Sequence, residues 1–273
     1  MKKTDIVVHG SPKLDYGEGY VMLSRCKNLE QVFLDKSFIP EKHLKVHPES
    51  LKEVRKMENR CIAREMKNKS FDLFYHNMRS KNNFIEVEMD PYAKQSSLVC
   101  LVQTCLNSTD RDFVWPNRTS MPHASAGMGK GVGCISSSQE AQFVRKVQRD
   151  DFQLVQLTLK KKYQIFVIYI SPNVNQHVFE DISSIIEEHL LPGLQPMIIG
   201  DMNFDFDNGI KNPLSKYLIN DLGLHQIIKE STFERSGNTI DHIYVTPEVE
   251  DKIKVDYRFN YYSDHLSFNI SFE

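Results

Sequence analysis

The sequence predicts an α/β fold in which two sheets pack as a sandwich, with helices outside and functional loops gathered at one end. Three observations predict it. Seven short runs are rich in β-branched and aromatic residues, a segment of helical spacing lies among them, and several strand ends finish in Asp, Asn or His. In chain order the strand-like runs are Phe71 to Tyr75, Ser97 to Val102, Phe152 to Leu157, Gln164 to Tyr169, Pro196 to Gly200, Thr239 to Val245 and Leu266 to Ile270. Val178 to Leu191 carries apolar residues at helical intervals.

Around these elements the punctuation is equally legible. Residues 50 to 69 are densely charged, with apolar positions three and four apart, and read as a solvated helix or linker that marks a domain boundary. Lys160-Lys161-Lys162 sits between two strand runs as an exposed hairpin turn. Gly127 to Gly133 contains four glycines, but no Lys-Ser/Thr pair follows at phosphate-loop spacing, so it reads as a glycine-marked turn or strand edge.

Composition narrows the function. With 273 residues, 40% of them hydrophobic, the chain can bury one large core and carry an appendage. No apolar run approaches the roughly 18 residues that cross a bilayer, and the stretch after Met1 to Asp5 is too short for a secretory signal, so an intracellular setting away from membranes is expected. Five cysteines without paired ligand spacing read as reduced thiols. The net charge of −2 excludes a protein that coats nucleic acid. Residues 1 to 62 hold 12 Lys and Arg against 9 Asp and Glu, leaving the remainder acidic, so any grip on a polyanion is local.

The chemistry gathers at strand ends. Met197 to Gly200 is an apolar run that passes through glycine into Asp201-Met202-Asn203, and residues i and i+2 of an extended chain face one way, so Asp201 and Asn203 can share a target. Asp241-His242 interrupts a second apolar run, and Ser263-Asp264-His265 leads into the last. Each alone has a structural explanation. Together they supply a base, metal-binding oxygens and donors for a developing oxyanion, the inventory that attack of water on phosphorus requires.

In this order Gly200-Asp201-Met202-Asn203, Ile240-Asp241-His242-Ile243 and Ser263-Asp264-His265-Leu266 resemble the GDFN, IDHI and SDHL motifs of the DNase I-like endonuclease/exonuclease/phosphatase superfamily. His76 to Ser80, Leu101 to Leu106 and Tyr169-Ile170-Ser171-Pro172-Asn173 resemble its asparagine-bearing strand end, its L-x-E-T-x-L segment and its Tyr-x-x-Pro segment, so the resemblance spans about residues 71 to 273. The wording from Gly237 to His242 is most similar to endonuclease domains of transposable elements. The resemblance implies a DNA substrate, Mg²⁺ or Mn²⁺ as cofactor, Asp201 acting on water, and Asn203 and Asn77 positioning water and phosphate. It further implies His265 paired with Asp241 on a phosphate oxygen, Tyr169 touching phosphate, and Asp264 holding the metal. One position departs: Gln103 stands where the family has its metal-binding glutamate, and an amide carbonyl is a weaker ligand than a carboxylate.

Tyr16 to Glu30 resembles a segment near the C-terminus of superfamily-one DNA helicases, with Arg25 at the position of the arginine that reaches ATP. Without a phosphate-binding loop, residues 1 to 62 read as a helicase remnant and linker, and the order helicase then endonuclease resembles Helitron-type transposons, which implies a nuclear setting. Two other readings stay open: a catalytically inactive nucleic-acid-binding relic, and a phosphatase or lipid phosphodiesterase on the same fold.

Overall fold

A computed structural model of the chain describes residues 6–8, 32–34, 52, 54–57, 71–106, 113–125, 127–206 and 212–273. Two compact units divide at Glu58 and Asn59. In the first, β1 (Ile6–Val8) pairs in parallel with β2 (Val32–Leu34), and residues 52 and 54–57 are helical. Tyr16 to Glu30, with Arg25, lies outside the described residues.

The second unit is built from two six-stranded sheets. One has the order β13 (Ile253–Phe259), β14 (Leu266–Phe272), β3 (Phe71–Asn77), β4 (Ser96–Val102), β6 (Val132–Ser136), β5 (Thr119–Ser120). The other runs β11 (His225–Gln226), β12 (Asp241–Val245), β10 (Gln195–Asp201), β9 (Tyr163–Ile170), β8 (Phe152–Leu159), β7 (Ala141–Gln148). This is the DNase I-like two-sheet α/β sandwich.

Period-two alternation explains the layers. On β9, Tyr163, Ile165, Val167 and Tyr169 enter the core between the sheets, joined by Leu73 and Tyr75 of β3, Ile199 of β10 and Phe268 of β14. The other set, Phe166, Ile168 and Ile170, packs outward against Val178, Ile182 and Ile186 of α3 (Gln176–Glu188). The outer face of the first sheet, with Phe74, Val99 and Leu101, is covered by α1 (Phe84–Met89) and α2 (Pro91–Gln95) through Val87 and Ala93. Each strand of the inner pairs is therefore buried on both faces, which is why they read as continuous apolar runs.

The expected helix begins at Gln176 and ends at Glu188, three residues short of Leu191. Pro192 keeps Leu191 itself out of the helix, since the residue before proline is driven out of the helical region. In this unit β5, β6, β7, β11 and β13 have no counterpart among the expected runs. The two longest, β7 and β13, are sheet edges with half-exposed faces, Arg145, Lys146, Lys254 and Arg258 among their residues, so their apolar signal is diluted. The lysine turn is a tight β8–β9 hairpin with Lys160 and Lys161 at φ 55° and 51°. The glycine segment is a turn into β6 with Gly127, Gly129 and Gly131 at positive φ. Among the described residues no helix is long and apolar enough to cross a membrane.

Candidate active site

Strand parity delivers the polar side chains. Leu73 and Tyr75 face the central core, so Asn77, the last residue of β3, faces its end. Met197 and Ile199 place Asp201 in the same way, and Ile243 and Val245 place Asp241. Register does the rest: Asp201 lies opposite both Asp241 on β12 and Tyr169 on β9. Gly200 is required just before Asp201, because a Cβ there would stand 1.9 Å from the Ile168 carbonyl oxygen.

The two sheets are joined at this end by two sets of hydrogen bonds that lie side by side. Asn77 Nδ2 donates to Asp201 Oδ2 at 2.8 Å and lies 3.4 Å from His265 Nε2. His265 Nδ1 is 2.8 Å from Asp241 Oδ2, and the Tyr75 hydroxyl donates to Asp241 Oδ1 at 2.8 Å. Asp201 is 1% exposed and His265 4%. Burial, reinforced by the neighbouring Asp241 carboxylate, pushes the Asp201 carboxyl up to about 7. Burial works to lower His265, but the Asp241 carboxylate together with those of Asp201 and Asp264 outweighs it and holds the imidazole up at about 9. A cationic His265 donates from both nitrogens, so Nε2 and Asn77 Nδ2 are two donors converging on one spot, the arrangement an oxyanion accepts.

Asn203 departs from the extended geometry expected of it. Its backbone is left-handed at φ 52°, its N–H closes a turn onto Asp201 Oδ1 at 3.0 Å, and its Nδ2 donates to the Ile170 carbonyl at 2.7 Å. It braces the Asp201 turn rather than projecting beside Asp201. Gln103, also left-handed at φ 50°, donates from Nε2 to the Tyr169 hydroxyl at 3.0 Å, and burial pushes that phenol up to about 12. Asp264 takes Arg79 and Arg235 on the same oxygen, Oδ2, each at 2.5 Å.

Two donor sets bear on a metal. Asp201, Asp241 and His265 each offer a ligand atom within 4.8 Å of the others, all buried. These atoms also bond one another and their neighbours, as described. Of the pair that the family resemblance assigns, Asp264 keeps Oδ1 buried with no hydrogen-bond partner among the described residues, and Gln103 turns its amide nitrogen to Tyr169, leaving its carbonyl as the acceptor end. Hard oxygen donors of this kind fit a divalent Mg²⁺-like ion in type, with a single carboxylate charge between them.

Sequence reading passed over several residues that build this end. Tyr75 lies two before Asn77 on the same strand face, a signal that was available. Ser263 Oγ donates to the Asn77 carbonyl at 2.7 Å and accepts the His265 N–H at 3.2 Å, while Thr232 Oγ1 accepts the N–H groups of Ile240 and Asp241, both at 2.9 Å. Phe233 packs its ring 4.8 Å from His265. Thr232 and Phe233 belong to a loop with no periodicity to flag them. His242, inside the strongest motif, faces away: it bonds Thr239 and Tyr244 beneath Phe204 and Phe206, and burial lowers it to about 4.

No protein-family model and no curated protein matches the chain in sequence. Solved structures do match in fold. A 3′ phosphatase, NExo, from Neisseria, in a variant form bound to product DNA hairpin, superposes with TM-score 0.59 at 15% identity over 75% of this chain and all of its own. The endonuclease domain of TRAS1, a telomere-specific non-LTR retrotransposon, gives 0.55 at 14% over 75% of this chain and 99% of its own. An endonuclease/exonuclease/phosphatase family protein from Leptotrichia buccalis gives 0.52 at 12% over 75% and 100%. At these identities the likeness is one of fold.

Proposed function

We propose that the chain hydrolyses phosphodiester bonds in DNA, with Mg²⁺ or Mn²⁺ as cofactor. The observation that carries this reading is the buried Asp201–Asn77–His265–Asp241 set, contributed by both sheets and meeting at one end of the core. Asp201, with a carboxyl near neutrality, takes a proton from the attacking water. Asn77 orients that carboxylate and offers its second amide hydrogen to phosphate. His265 donates from Nε2 to a non-bridging oxygen, and Asp241 fixes the ring and keeps it cationic. Tyr169 reaches phosphate beside Gln103, and Asn203 holds the Asp201 turn. Asp264 Oδ1 and Gln103 Oε1 would hold the cation, which when bound offsets phosphate charge and acidifies coordinated water. The transposon origin, with a helicase remnant ahead of the nuclease and a nuclear setting, rests on the motif resemblance.

Gln103 favours a second reading, a protein that binds DNA without cutting it. Nicking of supercoiled plasmid by the purified full chain, with Mg²⁺ and Mn²⁺ titrated, separates the two. His265→Ala and Asp201→Asn should each slow nicking roughly 10² to 10⁴-fold, the usual worth of such groups, while DNA binding changes far less. Residual nicking within about threefold of the parent in either folded variant would overturn the roles assigned. A parent that binds DNA but never nicks it supports the binding reading. Turnover of inositol phosphates or sphingomyelin instead of DNA moves the substrate elsewhere on the same fold.

A further inference from the structure

Two arginines stand at the mouth of this site and nothing in the hydrolytic scheme uses them. Arg79 follows Asn77 by two residues at the end of β3, and its own N–H donates to Asn77 Oδ1 at 3.0 Å. Its carbonyl lies 3.4 Å from the thiol of Cys105, two residues beyond Gln103. Arg79 therefore sits between the β3 and β4 strand ends, beside two of the residues assigned to phosphate and metal. Arg235 comes from the opposite side. It lies on the turn between Phe233 and Asn238, and that turn is fastened to the site by Phe233 against His265 and by Glu234 N–H on the Asp264 carbonyl at 2.9 Å.

Both guanidinium groups converge on Oδ2 of Asp264, the residue next to His265. A stabilising ion pair explains this poorly. One arginine in fork geometry already satisfies a carboxylate, with both oxygens used. Here two cations crowd one oxygen while Oδ1 stays buried without a hydrogen-bond partner among the described residues. The side chains of Arg79 and Arg235 are 39% and 67% exposed, where ion pairs add little to folding. Arg79 also holds a left-handed backbone at φ 60°, a conformation that costs a residue with a side chain and is found where surroundings impose it. Two permanent positive charges meet on one carboxylate here. Arg79 spends one N–H on Asp264, Arg235 meets it as an ion pair, and a guanidinium carries five N–H donors in all.

We propose that Arg79 and Arg235, aimed by Asp264, form a binding site for the phosphate backbone of the substrate. The ligand is a phosphodiester oxyanion, gripped from two sides of the mouth independently of any divalent cation. The inference rests on the phosphodiester reading above and deepens it. Gln103 makes it more consequential, because a site with one metal-binding carboxylate fewer draws less phosphate affinity from a cation, and permanently charged arginines supply what the amide does not. Asp264 then serves both groups, Oδ2 aiming the arginines and Oδ1 remaining for a cation.

The test is fluorescence anisotropy of an end-labelled DNA duplex with the full chain in EDTA, where no cleavage intervenes, repeated across salt concentrations. Arg79→Ala and Arg235→Ala should each weaken binding about 3- to 10-fold at low salt and each reduce the salt slope by about one. Lys254→Ala, on the distant edge strand β13, should do neither. Inorganic phosphate as competitor reports whether a free oxyanion suffices, and polyglutamate whether any polyanion does; displacement by phosphate and not by polyglutamate is the expected result. Arg235→Ala removes an exposed side chain from a turn, so it stays informative even if Arg79→Ala proves unstable. Three results overturn the inference: a parent that does not bind in EDTA, variants that bind like the parent, or a Lys254→Ala loss equal to theirs. The reading of hydrolysis is scored separately. Metal-dependent nicking with arginine-independent binding removes the clamp and leaves the nuclease, whereas arginine-dependent binding without nicking does the reverse.

Discussion

Replacing Asp241 by Asn removes one charge from the buried set while leaving its shape. The amide oxygen still accepts from His265 Nδ1, and the amide nitrogen faces the Tyr75 hydroxyl, which turns round to accept. What changes is the imidazole. Its rise from 6.5 to about 9 corresponds to about 3 kcal/mol, and the Asp241 carboxylate is the largest contribution holding it up against burial. Without that charge His265 falls toward its ordinary 6.5, with Asp201 and Asp264 still raising it. A fall all the way to 6.5 takes the cationic fraction at pH 8 from about nine-tenths to about 3%, so nicking falls by up to about 30-fold. The parent should show a bell, rising as Asp201 ionises near 7 and falling as His265 deprotonates near 9. In Asp241→Asn the alkaline limb should move down from about 9 toward 6.5, and the acid limb should move down too, since Asp241 also raises Asp201. Stability follows with a definite sign. His265 has its folded value above its unfolded one, so its contribution is complete below pH 6.5 and is lost as pH rises through about 9. That loss should appear in parent thermal melts between pH 6.5 and 9.5 and be absent in the variant. NMR titration of His265 reads the same quantity directly. An alkaline limb left near 9 in a folded Asp241→Asn protein would refute the coupling.

Other perturbations test neighbouring links. Gln103→Glu should raise apparent Mg²⁺ affinity roughly tenfold, about 1.4 kcal/mol, because a carboxylate replaces an amide carbonyl while the Tyr169 hydroxyl still has a partner; unchanged metal dependence in nicking would remove Gln103 from the metal site. Gly200→Ala should lower the melting temperature by several degrees or prevent folding, on the order of 2 to 4 kcal/mol, since its Cβ meets the Ile168 carbonyl at 1.9 Å; a melt equal to the parent's would mean that the β9–β10 spacing is looser than described. Deleting residues 1 to 62 should leave one cooperative transition in the remaining chain, given the division at Glu58 and Asn59; loss of that transition would show that the first unit completes the core.

Much of the fold, and the strand ends on which the candidate residues stand, was readable from local pattern. Apolar runs such as Gln164 to Tyr169 report burial on both faces, and the glycine before Asp201 marks an approach too close for a side chain. What pattern could not report is what each polar end meets. Asn77 and Asp201 are 124 residues apart and meet because the two sheets stack, whereas His265 and Asn77, 188 apart, meet because β14 pairs with β3 in one sheet. Pairing and stacking together turned His242 away from this end, set Asn203 on the Ile170 carbonyl, and gave Asp264 to two arginines that no periodicity connects. The sequence by itself determined which strands are buried and which strand ends carry acid, amide and imidazole, because those follow from alternation and burial along a few residues. Only the tertiary structure decided which of those groups share one low-dielectric space, and with it the values near 7 and 9 for Asp201 and His265, because a charge interaction depends on distance through space and not on separation along the chain.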